Sequence, residues 1–158
     1  MTKDNTAIAQ DISISTLVSI GEHPLSGRPR RAEQDARAIE LGLKSATDKL
    51  NCLYAGPALN TDATAVLRDY LGMGLKHIQI IDVPEHTDVT TTLLEYFSAN
   101  TPDVILTGVQ AEKGESSGML PYLLAEQLNI PIVASITHIV SIDKQAGHAR
   151  CCRPCQEA

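Results

Sequence analysis

The segment NCLYAGPALNTDATAVLRDYLGMGLKHIQIID, residues 51–82, contains one complete strand–helix–strand unit. Its two ends, NCLYAG at 51–56 and HIQIID at 77–82, are short apolar runs typical of buried strands. Between them, over residues 62–73, apolar side chains recur at helical spacing, at Ala63, Val66, Leu67, Tyr70 and Leu71. Two parallel strands need a long crossover, usually a helix, so this pattern predicts a βαβ unit.

The same alternation continues in both directions along the chain. The further predicted elements are a strand at 12–20, a loop at 21–30, a helix at 31–43, a helix at 89–99, a strand at 103–107, a helix at 118–128 and a strand at 132–142. Short apolar strands that alternate with helices predict a parallel sheet, here of five strands, covered on both faces. The predicted fold is therefore α/β, a Rossmann-like three-layer α/β/α sandwich of the adenine-nucleotide-binding type.

Composition narrows the function classes. The 158 residues are 43% hydrophobic with a net charge of −6, which is typical of one globular domain. No apolar run reaches the ~20 residues that span a membrane, and the polar start MTKDNTAIAQ predicts a cytoplasmic protein. A pI near 5.3 argues against a nucleic-acid partner. The sequence contains neither a Walker A motif nor a G-x-S-x-G nucleophile motif, so we expect a binding protein or electron carrier and not an enzyme.

The domain is predicted at residues 13–143, after a flexible arm at 1–12 and before an atypical cysteine-rich tail at 144–158. The tail holds Cys151, Cys152 and Cys155. One hypothesis is a metal or redox site at Cys152-x-x-Cys155 with His148, although structural zinc normally takes four ligands. The other is a frameshift near Arg150, which sequencing of the gene would decide.

Ligands of doubly wound sheets bind beyond the carboxyl ends of the strands, which directs attention to the loops at 20–31, 55–61 and 108–118. The third loop leaves a strand at Gly108 and enters a helix through ESSG at 115–118. Free N–H groups at a helix start, hydroxyls and a glycine together predict an anion pocket that suits a phosphate. The alternative is an ordinary serine N-cap that binds nothing.

The other two loops allow two interpretations each. The turn AGP at 55–57 either lets the backbone approach an adenine or ribose, or is a plain turn between a strand and a helix. The loop EHPLSGRPRR at 22–31 gathers three arginines beside His23. These guanidinium groups could bind a phosphate or an acidic partner surface, or could form a solvated basic loop balanced by Glu33, Asp35 and Glu40.

Six pieces, in this order, resemble the beta (small) subunit of electron transfer flavoprotein. They are TLVSIG (16–21), DARAIELGL (35–43), YAGP (54–57), LRDYLGMGL (67–75), PDVILTG (102–108) and GVQAEKGESSGMLPYLLAEQLNIP (108–131). The last piece is the most specific, because it combines a G-x-Q-A loop, a polar turn that ends in glycine and a helix that ends in L-x-I-P.

The resemblance implies a heterodimer with an alpha subunit that holds redox-active FAD, and a structural AMP or second flavin in the beta subunit. Electrons would pass from flavin dehydrogenases through FAD to a quinone-linked oxidoreductase, with loop 22–27 facing the partner. It also implies the cofactor-binding residues: Ser19 beside the adenine, Arg30, Arg31, Ala32 and Glu33 at the start of the first helix, Ala55 after the second strand, and Gly108, Val109, Gln110, Glu115, Ser116, Ser117 and Gly118 around the phosphate.

Several departures from the family leave open which nucleotide the chain binds. Arg30-Arg31 replaces an asparagine–proline pair, loop 22–31 and the phosphate loop are short, and Glu115 would repel a phosphate. The chain also stops before the family's C-terminal arm. The alternatives are a stand-alone adenine-nucleotide-binding regulatory module and a nonfunctional truncated fragment.

Overall fold

The computed structural model describes residues 12–45, 49–112 and 117–154. In chain order its elements are β1 (Ile14–Val18), β2 (Ile20–Glu22), β3 (Pro29–Arg31), α1 (Glu33–Ser45), β4 (Leu50–Gly56), α2 (Thr61–Leu71), β5 (Ile78–Asp82), α3 (Val89–Ala99), β6 (Val104–Leu106), α4 (Leu120–Gln127), β7 (His138–Asp143) and β8 (His148–Cys152). None of the helices in this described part is long and apolar enough to cross a membrane.

Four strands form the central sheet in the order β5–β4–β1–β6, and every neighbouring pair is parallel. The chain leaves β1 to build β4 and β5 on one side and then returns to place β6 on the other. The strand order therefore reverses at β1. In open α/β sheets such a reversal opens a crevice at the carboxyl ends of the strands.

Helices cover both faces of the sheet. Successive strand residues point to opposite faces, and here both faces carry buried apolar residues. Val18 of β1 and Cys52 of β4 pack with Ile39 of α1 and Tyr70 of α2. Their neighbours Leu17 and Leu53 pack on the other face, with side chains of α3 and α4. The prediction of an α/β three-layer sandwich with a mainly parallel sheet is confirmed.

The predicted fifth parallel strand at 132–142 is wrong. Within the described chain, only its last part, β7, is a strand, and β7 pairs antiparallel with β8 in a separate two-stranded sheet. Residues 130–135 are exposed, and Ser135 has a φ of 58°, a left-handed conformation that interrupts a strand. The apolar run IPIVASI therefore predicted more β structure than its backbone adopts.

The β7–β8 hairpin brings part of the tail into the packed structure. Ile139 and Ile142 of β7 are buried in a cluster with Ile12, Ile14 and Leu106. Ile12, which the sequence assigned to the flexible arm, is 1% exposed, whereas residues 1–11 of that arm lie outside the described residues. The predicted domain limit at residue 143 falls between the two strands of the hairpin.

Two further predictions need correction. The region 21–30, predicted as loop, contains the antiparallel hairpin β2–β3, which Gly27 turns with a φ of +64°. The last helix begins at Leu120 and not at Gly118, because Gly118 has a φ of +72°, outside the right-handed helical region. Both errors follow from glycines, which allow several turn geometries that a sequence pattern does not distinguish.

Candidate functional site

A cleft of about 1020 Å³ opens at the carboxyl ends of β1, β4 and β6, where the strand order reverses. Its walls come from the end of β1, the turn after β4, the segment before α3 and the loop between β6 and α4. The volume is at the upper end of the range typical of ligand sites. Topology alone predicts a ligand site at this position in a doubly wound sheet.

The floor of the cleft is organised by Asp35, which lies in the first turn of α1 and is only 6% exposed. Its Oδ2 accepts hydrogen bonds from the backbone N–H of Ser19 at 2.8 Å and from the Ser19 hydroxyl at 2.6 Å. Burial raises the pKa of Asp35 to about 6, against the opposing effect of the bonds from Ser19 and from the Gly108 backbone. One carboxylate thus joins β1, α1 and the loop after β6.

Ser19 is held from its other side by Tyr70 of α2. The Tyr70 hydroxyl donates to the carbonyl of Ser19 at 3.0 Å and accepts from the backbone N–H of Ala32 at 2.7 Å. Burial raises the pKa of Tyr70, so the phenol keeps its proton and remains a donor. The N–H, carbonyl and hydroxyl of Ser19 are therefore all engaged by fixed partners.

Gly108 begins the loop after β6 and packs directly against α1. A Cβ at this position would overlap Oδ1 of Asp35 and lie 3.2 Å from Cβ of Gln34. The next residue, Val109, donates its N–H to Oε1 of Gln34 at 3.1 Å. The loop can therefore approach α1 this closely only because residue 108 is glycine.

The other end of the loop returns to the same place. Gly118 adopts a φ of +72°, and a Cβ there would lie 3.0 Å from the carbonyl oxygen of Val109. Ser117 accepts the N–H of Met119 at 3.2 Å, one residue before α4 starts. The predicted serine cap is thus a turn that leads into the helix, and α4 itself has no side-chain cap.

A second carboxylate, Glu112, lies in the same loop and fixes the β2–β3 hairpin. It accepts the backbone N–H groups of Glu33 at 3.1 Å and Glu22 at 3.2 Å, and it pairs with Arg30 at 3.1 Å. The N-terminus of α1, which attracts anions, is therefore occupied by an anion of the protein itself. The sequence predicts neither the contacts of Glu112 nor those of Asp35, although the position of Asp35 in the first turn of α1 is a usable signal.

The charged groups that line the cleft are mostly acidic. They are Asp35, Glu85 and Asp88, together with His86, and no lysine or arginine is among the lining residues that the structure describes. Asp88 caps α3 by accepting the N–H of Thr90 at 2.9 Å, and the hydrogen bonds from Thr90 lower its pKa. Within this described lining, a bound anion would be held by backbone N–H groups and hydroxyls.

Sequence comparison assigns the chain to a family. The profile of the electron transfer flavoprotein domain matches residues 30–157. The chain belongs to the electron transfer flavoprotein family. This confirms the resemblance in the sequence, and the match extends through the cysteine-rich tail and the β7–β8 hairpin.

One relative in the family is electron transfer flavoprotein subunit beta of Chromohalobacter salexigens. It is 44% identical over 138 residues, which are 87% of this chain and 51% of the relative. The chain thus spans about half the length of the curated relative that it matches. Among solved structures, protein Rv1636 from Mycobacterium tuberculosis aligns with a TM-score of 0.45 and 12% identity over 77% of this chain and 93% of that one, a likeness too slight to carry an argument.

The structure brings together part of the binding set that the resemblance implies. The residues of that set that line the cleft are Ser19, Ala55, Gly108, Val109, Gln110, Ser117 and Gly118. A second group, at β3 and the start of α1, is not part of the lining: Arg30, Arg31, Ala32 and Glu33. Glu115 and Ser116 lie outside the described residues. This cleft-lining group combines the polar Ser19 with two glycines, at which the loop packs closely against α1 and against its own backbone.

Two of the tail cysteines lie on β8. Cys151 and Cys152 are free thiols, and burial raises the pKa of Cys151. In the described part of the chain, no three histidine, cysteine or acidic side chains are grouped as metal ligands. Cys155, which the metal hypothesis needs, lies outside the described residues, so that hypothesis stays a prediction.

Proposed function

We propose that this chain acts as the beta-type, nucleotide-binding component of an electron transfer flavoprotein and holds AMP in the cleft at the end of β1. The adenine would lie against Ser19 and Ala55, and the phosphate against the backbone of the loop that contains Val109 and Gly118. The observation that carries the proposal is the coincidence of that cleft with half of the residues that the resemblance implies.

We further propose an alpha subunit as its partner, which would hold FAD. When bound, FAD supplies the one- and two-electron chemistry, and this chain contributes packing and electrostatics around the cofactor. Flavin dehydrogenases would donate the electrons and a quinone-linked oxidoreductase would accept them. No residue of this chain is proposed as a nucleophile or general base.

The test is co-expression of the chain with an electron transfer flavoprotein alpha subunit. The complete beta subunit of Chromohalobacter salexigens, co-expressed with its own alpha subunit, is the matched control. A yellow heterodimer with stoichiometric FAD, measured by absorbance and by size-exclusion chromatography with light scattering, is the expected result. If the control assembles and the chain remains apart from alpha, the carrier function is wrong.

A second candidate is a stand-alone adenine-nucleotide-binding regulatory module. It is favoured by one observation: a single chain supplies cleft walls from β1, β4, α3 and the loop before α4. A monomer that binds AMP but never joins an alpha subunit would support this candidate. An aggregated chain that binds neither AMP nor FAD would instead indicate a nonfunctional fragment.

A further inference from the structure

The Ser19 hydroxyl has one proton, and its hydrogen bond to Asp35 decides where that proton points. The two oxygens are 2.6 Å apart, a short distance for such a pair. An ionised carboxylate only accepts hydrogen bonds, so the hydroxyl must be the donor. The oxygen of Ser19 is then left with lone pairs alone to offer to the cleft that it lines.

The surroundings of Asp35 favour this direction near neutral pH. Three donors face the carboxylate: the N–H and hydroxyl of Ser19 and the N–H of Gly108. Of the ionisable groups around it, Glu112 of the loop after β6 is the negative one, and Arg30 is paired with it. Cys52 of β4 and Tyr70 of α2 both stay neutral, because burial raises their pKa values, that of Cys52 to about 12.

We propose that Asp35 fixes the Ser19 hydroxyl as a hydrogen-bond acceptor, and that the cleft thereby selects a base that presents an amino group over one that presents a carbonyl. The inference rests on the proposed binding of a nucleotide with its base at Ser19. An exocyclic amine donates to the hydroxyl oxygen. A carbonyl in the same place would set two acceptors against each other and leave both unsatisfied.

AMP and IMP are the probes, because they share ribose and phosphate and differ only along one edge of the base: AMP has an amino group at C6 and an unprotonated N1, whereas IMP has a carbonyl at C6 and a proton on N1. By isothermal titration calorimetry at pH 7.5, we expect the 158-residue chain to bind AMP ~10-fold or more tightly than IMP, as a polar mismatch in a partly buried site requires. Titration of the shared phosphate cancels from the ratio of the two dissociation constants.

Two variants report on the mechanism. In Asp35→Asn the amide can donate to Ser19, which frees the hydroxyl to donate to a ligand, so the preference for AMP should fall towards onefold. Ser19→Ala removes the hydroxyl and should abolish the preference in the same way. Glu85→Gln is the matched control: it removes a carboxylate of the cleft wall that is far more exposed, and it should change both affinities alike.

The pH profile of the ratio is an independent readout that needs no variant. Because the pKa of Asp35 is raised to about 6, the carboxyl gains a proton as the pH falls below that value. A protonated Asp35 can donate a hydrogen bond to the oxygen of Ser19, so the Ser19 hydroxyl no longer has to be the donor of the pair. The preference for AMP should therefore be full at pH 7.5 and decline at pH 5, and it should be flat in Asp35→Asn.

The outcomes are separable. Equal binding of AMP and IMP by the unsubstituted chain, or an unchanged ratio in Ser19→Ala, overturns this inference and leaves nucleotide binding intact. Failure to bind either nucleotide overturns both the inference and the proposed site. Circular dichroism shows whether Asp35→Asn folds, and if it does not, Ser19→Ala and the pH profile decide.

Discussion

Asp35 is the one charged side chain among the described residues that is buried. The same position lowers the stability of the fold and orders the cleft. Burial disfavours the charged form of a carboxyl, whereas the bonds from Ser19 and Gly108 favour it. Burial prevails, since the pKa rises from 3.8 to about 6. The molecule therefore keeps a carboxylate that lowers its stability at neutral pH, in a place where the charge orders three elements of the cleft.

The first prediction concerns this cost. A carboxyl whose pKa is higher in the folded than in the unfolded state favours folding at low pH, and that contribution is lost as the pH rises through the folded value. Relative to Asp35→Asn, the free energy of unfolding of the unsubstituted chain should fall by about 2 kcal/mol between pH 4 and pH 7, at about 1.4 kcal/mol per pKa unit. Urea denaturation at several pH values measures it, and parallel curves for the two proteins would contradict it.

At the scale of elements, the β2–β3 hairpin depends on a residue distant in sequence. Glu112 holds the N–H groups of Glu22 and Glu33 and pairs with Arg30, whose side chain is 36% exposed. Without it, two backbone donors at the junction of hairpin and helix lose their partner. Each strand of the hairpin has only three residues, so the hairpin has few ladder hydrogen bonds of its own.

We predict that Glu112→Ala lowers the free energy of unfolding by about 1–3 kcal/mol, the usual cost of unsatisfied donors at a partly buried site. Lys44→Ala, which breaks the exposed Glu40–Lys44 pair on α1, is the control and should cost much less, because water screens an exposed ion pair. Urea denaturation measures both, and hydrogen exchange should quicken at the amides of Glu22 and Glu33 only in Glu112→Ala. Equal costs in the two variants would argue against the role of Glu112.

A second prediction at the scale of elements concerns the antiparallel β7–β8 hairpin. Ile139 of β7 is 4% exposed, whereas Ile132, in the segment predicted as a strand, is 42% exposed. Ile139→Ala should therefore destabilise the protein by about 2–4 kcal/mol and Ile132→Ala by less than about 1 kcal/mol. Thermal or urea unfolding decides, and similar losses would favour the continuous buried strand over the observed hairpin.

These elements also show what a sequence pattern can predict. The predicted limits of α3, Val89 and Ala99, are those of the structure, because its apolar side chains follow helical spacing. The structure adds the cap, in which Asp88 accepts the N–H of Thr90. The prediction of a parallel strand at 132–142 is wrong, because an apolar run indicates that a segment tends to be buried but not which strand it pairs with. The pairing of β7 with β8 depends on the residues at 148–152, whose polar and cysteine-rich sequence has no strand pattern.

At the scale of the whole molecule, the place of the cleft was predictable and its chemistry only in part. Strand order fixes where the carboxyl ends of β1 and β6 meet, so the loop that begins at Gly108 could be assigned to the site from sequence. The contacts of Asp35 and Glu112 could not, because they join residues 16 to 90 positions apart. The sequence predicts Asp35 only as a charge that balances nearby arginines.

The last prediction maps the ligand onto the whole chain. Binding of AMP to the cleft should slow hydrogen exchange, measured by mass spectrometry, at residues 17–20, 107–111 and 117–120, which line it. At ten times the dissociation constant, opening that releases the ligand is suppressed about tenfold. The β7–β8 hairpin contributes no residue to the described lining, so its local opening should be unchanged. Protection centred instead on Arg30, Arg31 and Glu33 would move the phosphate to the start of α1, where it would have to displace Glu112.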